Sequence, residues 1–249
     1  MRIAVISDIH ANLPALEAVL VHASRQKASA IWNLGDFVGY GAFPDEVIER
    51  LRWLDVPSII GNYDQKALKV KKKRKDWSKN KIPEKWLAFD WAYHAISQEN
   101  REYLENLPEQ RLIETEGWLS LLVHGSPESI KEHLGPATPI QRLEELSKRT
   151  SANLILCGHS HQAFVRQVNE QWFINPGSVG RLDDGDPRAA YAILELTLGH
   201  MQVWLHRVDY DVERAASAIR NAGLPESFAQ MVLQGRSLDF IEGREAANG

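Results

Sequence analysis

Five short apolar runs in this chain each end on a residue that a buried strand has no use for. Residues 3–6 open onto Asp8 and His10, 30–34 run into Gly35-Asp36, and 58–60 into Gly61-Asn62. Trp118–Val123 leads to His124-Gly125, and 154–157 to Gly158-His159-Ser160-His161. Their length and their Gly, Asn, Asp or His boundaries make each a predicted strand. Polar groups at buried strand exits are destabilising unless something occupies them. In an open α/β sheet, the C-terminal strand ends are where sites are assembled. The pattern therefore constrains both the architecture and the place of any chemistry.

Further strands are predicted over 171–174, 189–196 and 201–205. Helical patterns lie between the strands. Leu13, Leu16 and Leu20 recur at helical spacing behind Asn12, a fitting N-cap, with Pro14 tolerated in the first turn. Helices are also predicted over 46–54, 139–148 and 212–222. This alternation specifies an α/β fold, and the closely spaced last strands a mixed sheet. Residues 64–107 hold no predicted strand. They carry a basic run and then a helical pattern over 84–104, read as a helical cap inserted in the core. The whole chain, 1–249, is read as one domain, with the cap at about 64–107 and C-terminal helices at about 210–240. Residues 241–249 are polar and expected to fray.

Taken singly, each exit motif has a plain reading. Asp-x-His is commonplace, a lone Asp caps a helix, Gly-Asn-Tyr-Asp makes a tight turn, and Gly-His-Ser-His a solvated one. All five together, in chain order and at strand exits, point to metal. Imidazoles with carboxylate and amide oxygens suit Mn, Fe, Ni, Co or Zn. The single cysteine, Cys157, excludes a thiolate zinc site and a disulfide framework. Seven donors are too many for one tetrahedral ion and suit two cations sharing a carboxylate. The other histidines, His22, His94, His133, His200 and His206, are assigned to surface or structure, with His94 and His133 the two to check against the site.

The joint set of D-x-H, G-D, G-N, H-G and G-H-x-H, followed by N-P-G-S-V-G at 175–180, resembles the calcineurin-like metallophosphoesterase superfamily. Within it, the chain is similar to small bacterial and archaeal phosphodiesterase-type members over about residues 1–205. The resemblance implies a four-layer α/β/β/α sandwich of two mixed sheets flanked by helices, with two divalent metal ions between the sheets. Asp8, His10 and His161 would hold one ion, Asn62, His124 and His159 the other, and Asp36 would bridge them. Manganese is the first choice of metal, with iron, nickel, cobalt or zinc as alternatives. The implied activity is hydrolysis of phosphate esters, nucleotides among them, by a hydroxide bridging the two metals. Phosphodiesters come ahead of monoesters. A phosphomonoesterase or dinucleoside polyphosphate hydrolase is the runner-up. A non-catalytic binding scaffold of the same fold is a third reading, against which the full complement of seven ligands counts.

One position departs from the family pattern. Many members carry His after the Asn of the third motif, and this chain has Tyr63. A phenol with a pKa near 10 donates a hydrogen bond at neutral pH but is a poor proton donor. Asn62 and Tyr63 are the catalytic candidates, and Asp64 is read as a structural partner of a ligand histidine or of the loop. Ser178 and Arg181 are substrate-binding candidates, against the plainer reading of Asn-Pro-Gly-Ser as a strand-ending turn.

Residues 69–81 hold eight basic side chains and one acid in a chain of formal charge −4. With Trp77, Trp86 and Trp91 nearby, the run is a candidate nucleic-acid contact. A solvated face, with the tryptophans packing the cap, is the plainer account. The overall charge gives no reason to expect nucleic acid or membrane, and no apolar stretch approaches the roughly 20 residues of a membrane span. Homo-oligomerisation is unspecified. Met1-Arg2 leads straight into a strand, so no signal peptide and a cytoplasmic location are expected.

Overall fold

Strand β1 (Arg2–Ile6) shows how the layers stack. Ala4 and Ile6 face one way, into a cluster with Leu16 and Val19 of α1 (Leu13–Arg25) and Val47 and Leu51 of α2 (Pro44–Trp53). Ile3 and Val5 face the other way and meet Leu122, Leu154 and Ile174 of a second sheet. On that sheet Leu121, Val123 and Ile155 point outward to Leu143 and Leu146 of α6 (Ile140–Ser147). Strands apolar on both faces need a cover on both, and the result is helix on sheet on sheet on helix. The structure, a computed structural model, describes residues 1–80 and 82–244, with side chains described for all of these but 74–80.

The first sheet has the order β2 (Ala30–Asn33), β1, β8 (Ala189–Thr197), β9 (His200–Val208). β1 and β2 are parallel, and β8 runs antiparallel to both of its neighbours. The second has the order β3 (Gln110–Thr115), β4 (Trp118–Val123), β5 (Leu154–Leu156), β7 (Gln171–Asn175), β6 (Phe164–Val168). Its three central strands are parallel and its two edges antiparallel. Both sheets are mixed, as expected.

Several elements differ from the sequence reading. Residues 58–60 form only an isolated parallel bridge, Asn33 with Ser58, because the Ile60 amide turns away to the Pro108 carbonyl. β3 and β6 were not anticipated. β3 alternates exposed and half-buried residues and reads as polar, its partner β4 being reached through Glu116-Gly117, both at positive φ. The helical pattern over 84–104 divides into α4 (Pro83–Ala95) and α5 (Gln98–Glu105), since the Ser97 hydroxyl accepts the Asn100 amide and starts a new helix. The basic run continues α3 (Asn62–Asn80) as helix. The run is a candidate nucleic-acid contact, with a solvated face the plainer account, and its side chains from 74 to 81 lie outside those described. At the C-terminus, α7 (Val212–Asn221), α8 (Glu226–Gln234) and α9 (Leu238–Ile241) build a separate cluster around Phe228 with Tyr40 and Ala88. No described helix is long and apolar enough to cross a membrane.

Candidate metal centre

The strand exits are strained. Asp8 (φ 54°), His10 (49°), Asp36 (57°), His159 (65°) and His161 (59°) all lie in the left-handed region. Each such non-glycine residue costs roughly 1 kcal/mol or more, so five together rival the net stability of about 5–15 kcal/mol of an ordinary domain. Interlocked backbone bonds hold them there. The Asp8 amide donates to the Gly35 carbonyl at 3.0 Å, and the Ile9 and His10 amides to the Asp36 carbonyl at 2.9 and 3.0 Å. Glycine is required where these loops touch. A Cβ on Gly61 would collide with the Asp36 amide nitrogen, and one on Gly158 would collide with Ser7 Oγ and come within 2.7 Å of Asp8 Oδ2.

Two groups of ligand-type atoms result: Asp8, His10 and His161, and Asp36, His124 and His159, each gathered within 4.8 Å. His10 Nε2 lies 3.2 Å from His161 Nε2, and His161 Nε2 lies 3.3 Å from Asp8 Oδ1. In the second group His124 Nε2 lies 3.3 Å from Asp36 Oδ2 and 3.1 Å from Asn62 Oδ1. Asp36 Oδ2 is also 3.8 Å from His10 Nε2, so this carboxylate reaches into both groups. Asp8 Oδ1 also reaches across, 3.9 Å from His124 Nε2. All seven expected ligands thus come together, six of them buried and His159 partly exposed.

The far side of each donor is already engaged. His10 Nδ1 is 3.2 Å from the Val38 carbonyl, His124 Nδ1 2.8 Å from the Leu34 carbonyl, and His161 Nδ1 3.1 Å from Asp183 Oδ2. These contacts orient the Nε2 atoms inward. His159 is the exception: its Nε2 meets the Lys131 carbonyl at 3.2 Å, which leaves Nδ1 as its available donor. The outer oxygens of the acids accept backbone amides, Asp8 Oδ2 from His159 at 2.9 Å and Asp36 Oδ1 from Tyr63 at 2.7 Å. The second contact sets the Asp36 carboxylate at the positive N-terminus of α3.

Charge is unevenly shared. Burial alone would raise the carboxyls of Asp8 and Asp36, yet the surrounding imidazoles hold both below the usual range. Burial likewise opposes protonation of His124 and His161, but Asp36 and Asp8 respectively push them up to about 9. His10 and His159 yield to burial, at about 3 and about 4. The buried carboxylates thus favour positive charge on His124 and His161, whereas desolvation disfavours it on His10 and His159. Asp8 Oδ1 still has no hydrogen-bond donor among the described residues. A divalent cation would satisfy it, and this N,O donor set suits one.

The other expected site residues divide. Tyr63 packs edge-on to His10, with ring centroids 5.0 Å apart, and its hydroxyl lies 2.9 Å from that of Tyr40. Arg181 stacks its guanidinium 4.9 Å over the Tyr40 ring, and its Nε is buried without a hydrogen-bond partner among the described residues. Ser178 is fully buried; its hydroxyl donates to the Asp8 carbonyl at 2.7 Å and accepts the Arg181 amide at 2.8 Å. Both contacts tie it to the loop that carries Arg181. Asp64 supports the loop and not a histidine: it accepts the Asp36, Gly61 and Val38 amides at 3.0, 2.9 and 3.2 Å. His133 stacks on His159 with centroids 4.3 Å apart, whereas His94 pairs with Asp90 on the cap. Asp183 and Tyr40 escaped the sequence reading. Asp183 is one of three acids in a Gly/Pro loop, and nothing local sets it apart.

The calcineurin-like phosphoesterase superfamily domain profile matches residues 1–199. An uncharacterized protein of Methanocaldococcus jannaschii is 34% identical over 251 residues, covering 94% of this chain and 98% of that protein. The crystal structure of a metallophosphoesterase from Sphaerobacter thermophilus superimposes with a TM-score of 0.76 at 34% identity, covering 94% of this chain and 99% of that one. The phosphodiesterase YfcE of Escherichia coli is 27% identical over 205 residues, 78% of this chain and 88% of its own.

Proposed function

This chain belongs to the calcineurin-like phosphoesterase superfamily, and we propose that it hydrolyses phosphodiesters at a centre of two divalent cations. The observation that carries the reading is the gathering of six Asp and His side chains into two adjoining groups, five of them buried, with Asn62 beside His124 and an orphaned Asp8 oxygen. Asp8, His10 and His161 would hold one cation, Asn62, His124 and His159 the other, and Asp36 would be shared. Manganese is the first candidate, and iron, nickel, cobalt and zinc accept the same donors. When bound, such a pair supplies an acidified water and neutralises charge on the phosphoryl oxygens.

The chain's own residues do the remainder. Arg181, with its buried and unpartnered Nε, is positioned to donate to a non-bridging phosphate oxygen. Burial, and then the neighbouring Tyr40, hold the Tyr63 phenol well above its ordinary value. It keeps its proton at neutral pH and serves as a hydrogen-bond donor, which favours esters with good leaving groups. The E. coli relative named a phosphodiesterase supports diesters over monoesters.

The test is a substrate panel on metal-stripped protein reloaded with Mn, Ni, Co, Zn or Mg. Bis(p-nitrophenyl) phosphate is expected to outpace p-nitrophenyl phosphate, and Asp36→Asn to lose more than about 100-fold in kcat/KM. Absence of turnover with every metal, on mono- and diesters, cyclic nucleotides and oligonucleotides, would overturn the reading in favour of a binding scaffold.

A further inference from the structure

His159 is held differently from the other candidate ligands. The remaining Asp and His donors are buried, so packing fixes them, whereas His159 is half-buried and its ring needs a hold from outside. One loop, residues 125–135 between β4 and α6, supplies it. Lys131 offers its carbonyl to His159 Nε2 at 3.2 Å, and the His133 ring lies against the His159 ring with centroids 4.3 Å apart. Between these two residues stands Glu132, whose carboxylate is engaged elsewhere. Arg142 of α6 donates from Nε to Glu132 Oε1 at 2.7 Å and from Nη2 to Oε2 at 3.0 Å. The Ser126 hydroxyl, at the start of the loop, donates to the same Oε2. Arg142 also reaches Glu128 at 2.6 Å and Glu145 at 2.9 Å.

We propose that Glu132 and Arg142 are positioning residues for the cation of the Asp36, His124 and His159 group. Their paired contact fixes the loop, and the loop fixes which nitrogen of His159 faces the centre. The assignment rests on the two-cation reading above and adds residues outside the ligand set that govern one ion. A carbonyl can only accept, so the Lys131 contact keeps the proton of a neutral His159 ring on Nε2 and frees Nδ1 for a cation. His10, His124 and His161 are engaged through Nδ1 and present Nε2 instead. Once the loop loosens, His159 is free to take the other tautomer, whose Nδ1–H cannot bind a cation. An isolated ion pair with side chains 30% and 22% exposed would hold a loop weakly. Here one planar guanidinium grips Glu132 through two parallel bonds and gathers two further carboxylates, which lysine could not reproduce.

Calorimetric titration of the metal-stripped full chain with manganese reads the two ions separately. Arg142→Met and Glu132→Gln are each expected to weaken one ion about 10–100-fold and leave the other within about twofold, with Arg142→Lys falling between. General destabilisation would weaken both ions together. A second arm needs no metal. Nitrogen-15 imidazole spectra of the metal-free chain at mildly alkaline pH, with the His159 signal identified by its loss in His159→Asn, are expected to show the proton on Nε2. Arg142→Met is expected to give a mixture of tautomers. Equal weakening of both ions, or no change in either, overturns the assignment. So does a wild-type His159 proton on Nδ1, or a tautomer that Arg142→Met leaves unchanged. A wild type that binds no cation, yet whose His159 tautomer is fixed and is released by Arg142→Met, would keep the loop's hold on His159 and sink the two-cation reading instead.

Discussion

His161 Nδ1 lies 3.1 Å from Asp183 Oδ2, and this contact decides which ring nitrogen faces Asp8. Asp183 also lies 3.6 Å from Arg181 Nη2, so one carboxylate orients a candidate ligand and a candidate phosphate contact together. Replacing Asp183 by Asn removes the charge that fixes this tautomer. Removal of such an outer partner typically weakens metal binding about 10–100-fold. Asp183→Asn is therefore expected to lose manganese affinity in that range, as read by calorimetric titration. An unchanged dissociation constant would show that the ring is oriented by other means.

Asp64 gathers three amides from two loops that carry Asp36 and Asn62. Truncation to Ala leaves three buried N–H groups without an acceptor, at about 1–3 kcal/mol each. Asp64→Ala is expected to destabilise the metal-free protein by roughly 3 kcal/mol or more, measured by urea unfolding. A loss below about 1 kcal/mol would mean that water or another acceptor takes its place.

Tyr63 packs edge-on to His10, and its hydroxyl meets that of Tyr40. Its retained proton predicts that Tyr63→Phe lowers turnover of aryl diesters by less than about tenfold. Tyr63→His introduces a group that titrates near neutrality, and alkyl diesters are expected to gain more than aryl diesters do. Steady-state rates on matched aryl and alkyl esters decide it. Identical rates for all three proteins would remove this side chain from the reaction.

Lys27 tests the backbone alone. It follows the Gln26 cap of α1 at φ 60°, its amide donates to Ser24 at 2.9 Å, and the Ala28 amide donates to Ala23 at 3.0 Å. This closing motif favours glycine at the left-handed position. Lys27→Gly is expected to raise stability by about 0.5–1 kcal/mol, seen as a higher melting temperature with unchanged metal affinity.

Much of this molecule was legible along the chain. The runs of apolar residues in β1, β4 and β5 declared strands covered on both faces, because side-chain direction in a strand is a local property. The seven candidate ligands were legible for a related reason: charged and polar groups placed at strand exits conflict with burial wherever the strands go. Polar edge strands such as β3 and β6 carried no such conflict and passed unnoticed.

Contacts between distant segments settled the remainder. Ser178 looked available to a phosphate until the fold enclosed it under the Asp8 carbonyl. Asp183 looked like its neighbours Asp184 and Asp186 until β5 and the 181–188 loop brought it to His161. The cluster around Phe228 exists only because α7 and α8 pack back onto Tyr40, some 180 residues earlier in the chain. Residue type and spacing announce which groups need a partner. The partner itself is chosen by through-space distance, and that quantity exists only once the layers have packed.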